Sequence, residues 1–223
     1  MYKKVFIRES LNIGMKEVVY TEKMSEDFLK RHLPIVPNIF TMDVSKVLKF
    51  SKNYPLVLKL MSPQALHKSD IGAVKFVNNE EELRKAFHDL LVLGKKKRLK
   101  IDGILVQELK EGHQLIIGVK KDPTFGQTIL VGLGGIFVEI FRDVSIRICP
   151  ITLSDAKEMI NELNAIELLR GARGEKGINF EVLENALVKV SRLAIKHDIK
   201  ELDINPFVVN SKEGFVADAR IVF

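Results

Sequence analysis

The 223-residue sequence contains no tryptophan, three tyrosines and one cysteine. So few flat side chains argue against an extended base-stacking surface. The lone thiol, Cys149, cannot close an intrachain disulfide, and a reducing, cytoplasmic setting is expected. It sits in the apolar run Ile146-Arg147-Ile148-Cys149-Pro150, where a small packed side chain is the expected role. No apolar run approaches the ~20 residues that span a bilayer, and the opening MYKKVFIRES lacks the apolar core and cleavage site of a signal peptide. A membrane partner is therefore not expected. Cys/His clusters with zinc spacing are missing, as is a GxGxxG dinucleotide fingerprint. What remains is ordinary for an enzyme with a sizeable core: 46% hydrophobic and 29% charged residues, with a net charge of +6 that suits anionic ligands. The densest basic run, Lys95 to Arg98, has no interleaved aromatics and lies between a helical pattern and a strand. It reads as a solvated connector, and no nucleic-acid partner is expected.

Hydrophobic periodicity divides the chain into blocks. It predicts helices over 21–32, from Asp43 or Ser45 to 52, 79–93, 155–163 with Ser154 as cap, and 181–197. It predicts strands at 5–7, 54–60, 74–77, 104–109, 115–119, 128–133, 136–141, 144–148, 201–209 and 214–222. Residues 62–72 carry no period and read as a loop. Strands and helices segregate in blocks, which favours an α+β class over a doubly wound sheet. The expected organisation is an arm over 1–20, a smaller lobe over 21–102 and a larger lobe over 103–223.

Three places could carry chemistry. Lys59 ends an apolar strand, where its ammonium either reaches solvent or sits on a phosphate. The loop that follows supplies hydroxyls, backbone amides, Lys68 and Ser69, and Gly72 closes it. Within it, His67 is either an exposed bystander or a nucleophile, because a neutral imidazole has a free lone pair near pH 7. The other histidines, His32, His88, His113 and His197, fall in helices or a turn without such neighbours. The second place is Asp203, Asn205 and Asp218. The first two lie two apart on one strand face and the third on the next strand, a donor set for a hard cation such as magnesium. The third is Gly132-Leu133-Gly134-Gly135, a tight turn or a close backbone approach to a ligand, followed by Glu139, Asp143 and Arg147 at spacings of four, which could line a polar site or form an ion-pair ladder.

Taken together, Tyr54 to Lys59, Ser62-Pro63, Leu66 to Asp70, Val106-Gln107-Glu108, Ile117-Gly118-Val119, Asp122 to Gly126, Gly132 to Ile136, Val138-Glu139, Asp143-Val144-Ser145 with Arg147, Leu202 to Pro206 and Asp218-Ala219-Arg220 resemble, in consistent order from Thr21 to Phe223, the beta subunit of ADP-forming acetyl-CoA and acyl-CoA synthetases. The succinyl-CoA synthetase beta subunit is a more distant likeness. The resemblance implies an ATP-grasp fold whose two lobes clasp a nucleotide. It implies ATP/ADP and Mg2+ as ligands, and a CoA-binding alpha subunit as partner in an alpha2beta2 heterotetramer. His67 matches the histidine that relays a phosphoryl group from the partner's phosphohistidine to ADP. Lys59 matches a phosphate-binding lysine, Glu108 the hinge contact to adenine or ribose, Arg147 a phosphate contact, and Asp203, Asn205 and Asp218 the magnesium ligands. The chain departs from the pattern at Gly72-Ala73, where Gly-Gly is usual, and at Gln114, where a glutamate is usual. Two other readings compete: an ATP-grasp ligase joining a carboxylate to an amine without a phosphohistidine, and a regulatory synthetase-like module.

Overall fold

The structure, a computed structural model, describes residues 17–50, 53–63, 72–134, 143–171 and 176–223. The expected strands at 5–7 and 136–141 lie outside these residues, as does most of the loop after Lys59. The described residues divide into two compact units: residues up to Ile35 together with Glu111–Phe223, and Val36–Lys110.

The smaller unit is one antiparallel sheet backed by helices. Its elements are β1 (Asn38–Thr41), α2 (Val44–Phe50), β2 (Leu56–Met61), β3 (Val74–Val77), α3 (Glu80–Lys96) and β4 (Gly103–Glu108), and its strands lie in the order β1-β4-β2-β3. Alternation assigns the faces. Leu56, Leu58, Leu60, Val77, Ile104 and Val106 join Leu83, Phe87 and Leu90 of α3 in a core of their own. Asn79 starts α3 by accepting the Glu82 N–H at 2.9 Å, and Glu82 accepts the Asn78 N–H at 2.8 Å, a reciprocal arrangement that satisfies exposed donors.

The larger unit holds α1 (Glu22–Leu29), β5 (His113–Asp122), β6 (Gly126–Leu133), β7 (Val144–Ile148), α4 (Leu153–Asn161), α5 (Ile166–Arg170), α6 (Phe180–Lys196), β8 (Glu201–Val209), β9 (Gly214–Val216) and β10 (Ala219–Val222). Its strands lie in the order β10-β8-β5-β6-β7, with β9 also paired to β8. One face, through Leu115, Ile117, Ile129, Val131, Leu202 and Ile204, packs on Met159, Leu187, Val190 and Ala194 of α4 and α6. Buried aliphatic area on this scale supplies the main driving force, at roughly 25 cal/mol per Å2.

The α+β class and most elements agree with the sequence, and four details differ. The N-cap of α4 is Thr152, not Ser154; Thr152 and Asp155 form a reciprocal capping box. The short strand β1 and helix α5 carry too little periodicity to be predicted. The segment 214–222 is two strands rather than one. The grouping also divides the chain elsewhere than at 20/21 and 102/103. Strand β4 is an interior strand of the smaller sheet, and α1 belongs with the larger unit.

Candidate functional site

In the larger unit, Asp203 lies opposite Arg220 on β10 and Gly118 on β5. The Asn205 N–H donates to the Asp218 carbonyl at 3.2 Å, so these two residues extend the same β8–β10 ladder. Residues directly opposite on antiparallel strands share a face. Asp203, Asn205, Asp218 and Arg220 therefore all lie on the face turned away from α4 and α6. Pro206 has no N–H to give the ladder, and the β5–β8 register shifts there: Leu115 pairs with Phe207, but Ile117 with Ile204. The bulge explains why Ile204 and Phe207, three apart, are both fully buried in the core.

Burial pushes the Asp203 carboxyl above its ordinary pKa, the neighbouring Asp218 carboxylate pushes in the same direction and Glu201 adds to it, while Arg220 opposes. Two carboxylates that each disfavour the other's charge, beside an amide oxygen, form a donor set that a hard divalent cation relieves. The residues present fit magnesium on that ground. Among the described residues no group of three or more His, Cys, Asp or Glu is placed to hold a metal ion, so a cation here would need the Asn205 amide beside the two carboxylates.

In the smaller unit, Lys59 lies half-buried on β2 between Val74 of β3 and Leu105 of β4. Its face is the one opposite the helices. Glu108, at the end of β4, pairs in register with Leu56 and accepts from the Lys110 ammonium at 3.0 Å. The register places Lys59 and Glu108 on opposite faces of the sheet, so the structure does not bring these two side chains together. His67, Lys68 and Ser69 lie outside the described residues. Gly72 bounds that loop with φ +72°, a left-handed conformation that an L side chain resists, and a Cβ there would meet nothing within 4 Å. Ala73 is fully buried in the smaller core, and its carbonyl accepts the Leu60 N–H at 2.9 Å. The added methyl of the Gly72-Ala73 departure therefore fills the core, and the residue that needs glycine keeps it. At the other departure, the Gln114 carbonyl accepts the Gly134 N–H at 2.7 Å, and a Cβ on Gly134 would come within 3.0 Å of that oxygen. Gly132 and Leu133 thus belong to strand β6 rather than to a turn, and Gly134 continues its close approach to the β5 backbone.

Arg147, expected as a phosphate contact, is paired within the larger unit. Its register partner is Ile129, which is buried against the helices, so Arg147 lies on the opposite sheet face from Asp203. Its guanidinium forms a two-point ion pair with Glu162, one contact at 3.1 Å, and Ser145 donates to the same carboxylate at 2.6 Å. The hydrogen bonds from Arg147 and Ser145 hold the Glu162 carboxyl below its usual range. Of the two readings of Glu139, Asp143 and Arg147, an ion-pair ladder is not seen between the described Asp143 and Arg147. Asp143 instead accepts N–H groups from Asn164 and Ala165, both at 2.9 Å, and Glu139 lies outside the described residues. Cys149 is buried and its thiol is pushed up to about 12, as expected of a packing residue. His197 caps α6 and meets the Phe28 ring edge-on with centroids 5.1 Å apart. Among the described residues no helix is long and apolar enough to cross a membrane.

The ATP-grasp domain model matches residues 15–223. The beta subunit of acetate–CoA ligase [ADP-forming] II from Pyrococcus furiosus is 43% identical over 227 aligned positions, covering 97% of this chain and 95% of that one. The acetate–CoA ligase [ADP-forming] I of Archaeoglobus fulgidus is 42% identical over 81% of this chain, but the match spans only 27% of that longer protein. The dinucleotide-forming acetyl-coenzyme A synthetase 1 of Ca. Korarchaeum cryptofilum is similar in structure. With coenzyme A and Ca-AMPCP it gives a TM-score of 0.86 at 39% identity, covering 94% of both chains. With coenzyme A and Mg-AMPPCP, its phosphohistidine segment pointing towards the nucleotide binding site, it gives 0.80 at 38% identity, covering 92% of both. A family match over nearly the whole chain, on a fold that these structures share, identifies the chain as a member of the ATP-grasp domain family.

Proposed function

We propose that this chain is the nucleotide-binding beta subunit of an ADP-forming acyl-CoA ligase, catalysing with a partner the reaction acyl-CoA + ADP + phosphate ⇌ carboxylate + CoA + ATP. The observation that carries the reading is the Asp203–Asn205–Asp218 face, in a chain that is 43% identical to an ADP-forming ligase beta subunit over 95% of that subunit's length. In this reading Lys59 places a compact positive charge on the nucleotide phosphates. Glu108, whose side chain leaves the sheet on the face opposite Lys59, meets the adenine or ribose only at the rim where β4 ends. Lys68, Ser69 and the amide groups up to Gly72 bind the transferred phosphoryl group. Magnesium held by Asp203, Asn205 and Asp218 would neutralise charge on the phosphates during in-line transfer.

His67 is the phosphoryl carrier. Its neutral ring nitrogen attacks phosphorus as the P–N bond to the partner's phosphohistidine breaks. The new P–N bond then breaks as an ADP β-phosphate oxygen takes the group, giving ATP and restoring the imidazole. The partner is a CoA-binding alpha subunit in an alpha2beta2 assembly. Arg147 would contact a phosphate only by loosening its ion pair with Glu162.

The test is to label the chain with radioactive ATP and magnesium, alone and with the partner subunit, beside His67→Asn. Acid-labile, base-stable label on the wild type that the variant loses is the expected result. Turnover with the partner that survives His67→Asn would favour a carboxylate–amine ligase instead.

A further inference from the structure

The sheet face that carries Lys59 has a second feature that the scheme above does not use. Read across the four strands, Asn38, Gln107, Val57 and Phe76 form one row, and Phe40, Leu105, Lys59 and Val74 form the next. Gln107, Val57 and Leu105 are buried. What this face leaves accessible on its β3 side is Lys59 and Val74, each half-buried, and Phe76, which is 64% exposed.

Phe40, on the opposite edge strand, is accounted for within the sheet. Its ring occupies the space where Gly103 lacks a side chain, and a Cβ there would lie 2.5 Å from the ring. Phe76 has no such seat among the described residues. It stands one strand spacing and two residues from Lys59, a diagonal of about 8 Å. That diagonal is short enough for one extended ligand to touch both side chains. A lone exposed phenylalanine is common on protein surfaces. An aromatic ring and a phosphate-binding cation on the same face at this separation form a two-point seat for a ligand with one anionic and one flat end.

We infer that Phe76 stacks on the base or ribose of the nucleotide whose phosphates Lys59 holds, as a further affinity-determining residue of that site. The inference rests on the nucleotide reading of the Lys59 face. Stacking against an aromatic ring tolerates any base, so Phe76 contributes affinity for a nucleoside without choosing between adenine and guanine.

Equilibrium binding of Mg-ADP and of magnesium tripolyphosphate, a probe with phosphates and no base, to the wild type, Phe76→Ala and Phe76→Tyr tests this. Phe76→Ala should weaken Mg-ADP by about five- to fifty-fold, leave tripolyphosphate within about twofold, and be reversed by Phe76→Tyr. Unchanged Mg-ADP affinity in Phe76→Ala, or an equal loss for both probes, overturns the stacking role while the nucleotide reading stands. A wild type that binds no ADP removes both together. Because Phe76 is exposed, unchanged circular dichroism in the alanine variant is expected and separates a binding loss from misfolding.

Discussion

Asp203 carries a cost that its environment imposes and that a bound cation would remove. Its carboxyl is half-buried beside Asp218 and Glu201, with Arg220 alone in opposition. In the metal-free chain, Asp203→Asn deletes both the desolvation of a charge and the repulsion between carboxylates, and the amide keeps the shape. The variant is expected to melt at the same temperature as the wild type or about 1–3 °C higher, while its affinity for Mg-nucleotide falls at least tenfold. A melting scan without magnesium and a titration with Mg-ADP measure the two effects separately. A variant that lost stability without magnesium would show that Asp203 serves the fold. At Glu162 the sign is opposite. The Arg147 and Ser145 hydrogen bonds depress its folded pKa, so its stabilisation is present above the unfolded value near 4.3 and is lost as pH falls through the lower, folded value. Glu162→Gln should therefore lower the melting temperature at pH 7 by about 1 °C, the scale of an exposed pair, and the difference from wild type should vanish on acidification. If Arg147 instead served nucleotide, the same variant would change Mg-ADP affinity.

At the scale of elements, hydrophobic period carried most of the sequence reading, and the Asn179 cap of α6 came from the structure. Helices α3 and α6 each bury one apolar stripe, and their boundaries follow from Asn79 and Asn179. The start of α4 was misplaced by two residues because Ser154 is a good cap by type, yet only Thr152 meets its partner three residues on in Asp155. Thr152→Ala is expected to cost about 1 kcal/mol, or a fall of about 2–4 °C in melting temperature, with Ser154→Ala close to neutral. Equal effects at both positions would refute the capping box as the reason for the boundary. Gly72 belongs at this scale because it ends the loop that precedes β3. Its φ of +72° makes Gly72→Ala costly even though the space around it is open. The expected outcome is a folded chain that is labelled by ATP more slowly than wild type, measured by quenching the labelling reaction at intervals.

Over the whole molecule, each unit has its own core: the smaller is built on β2, β4 and α3, the larger on β5, β8 and α6. A ligand that binds only the folded chain adds stability by mass action. Mg-ADP at one hundred times its dissociation constant adds about 2.7 kcal/mol, which corresponds to a rise of about 5–10 °C in melting temperature. A thermal shift of that size in wild type, cut to about half or less in Asp203→Asn at the same Mg-ADP concentration, would link the larger unit to the nucleotide. A shift that persists undiminished in the variant would detach the acidic face from nucleotide binding.

The sequence by itself determined the α+β class, most helices and strands, and the shared face of Asp203, Asn205 and Asp218. These rest on short-range rules: a period of 2 or 3.6, and a hairpin that returns the next strand alongside. Tertiary structure decided what depends on which distant strand lies next door. It put β4 inside the smaller sheet, turned Arg147 toward Glu162, sent the Ala73 methyl into the core, and set Phe76 on the face of Lys59. It also kept Ile204 and Phe207 on one face across the bulge at Pro206, where strict alternation would have separated them. Alternation along a strand says which residues share a face, but only pairing between strands says which faces meet. That pairing is settled by the burial of the whole sheet rather than by any local run of residues.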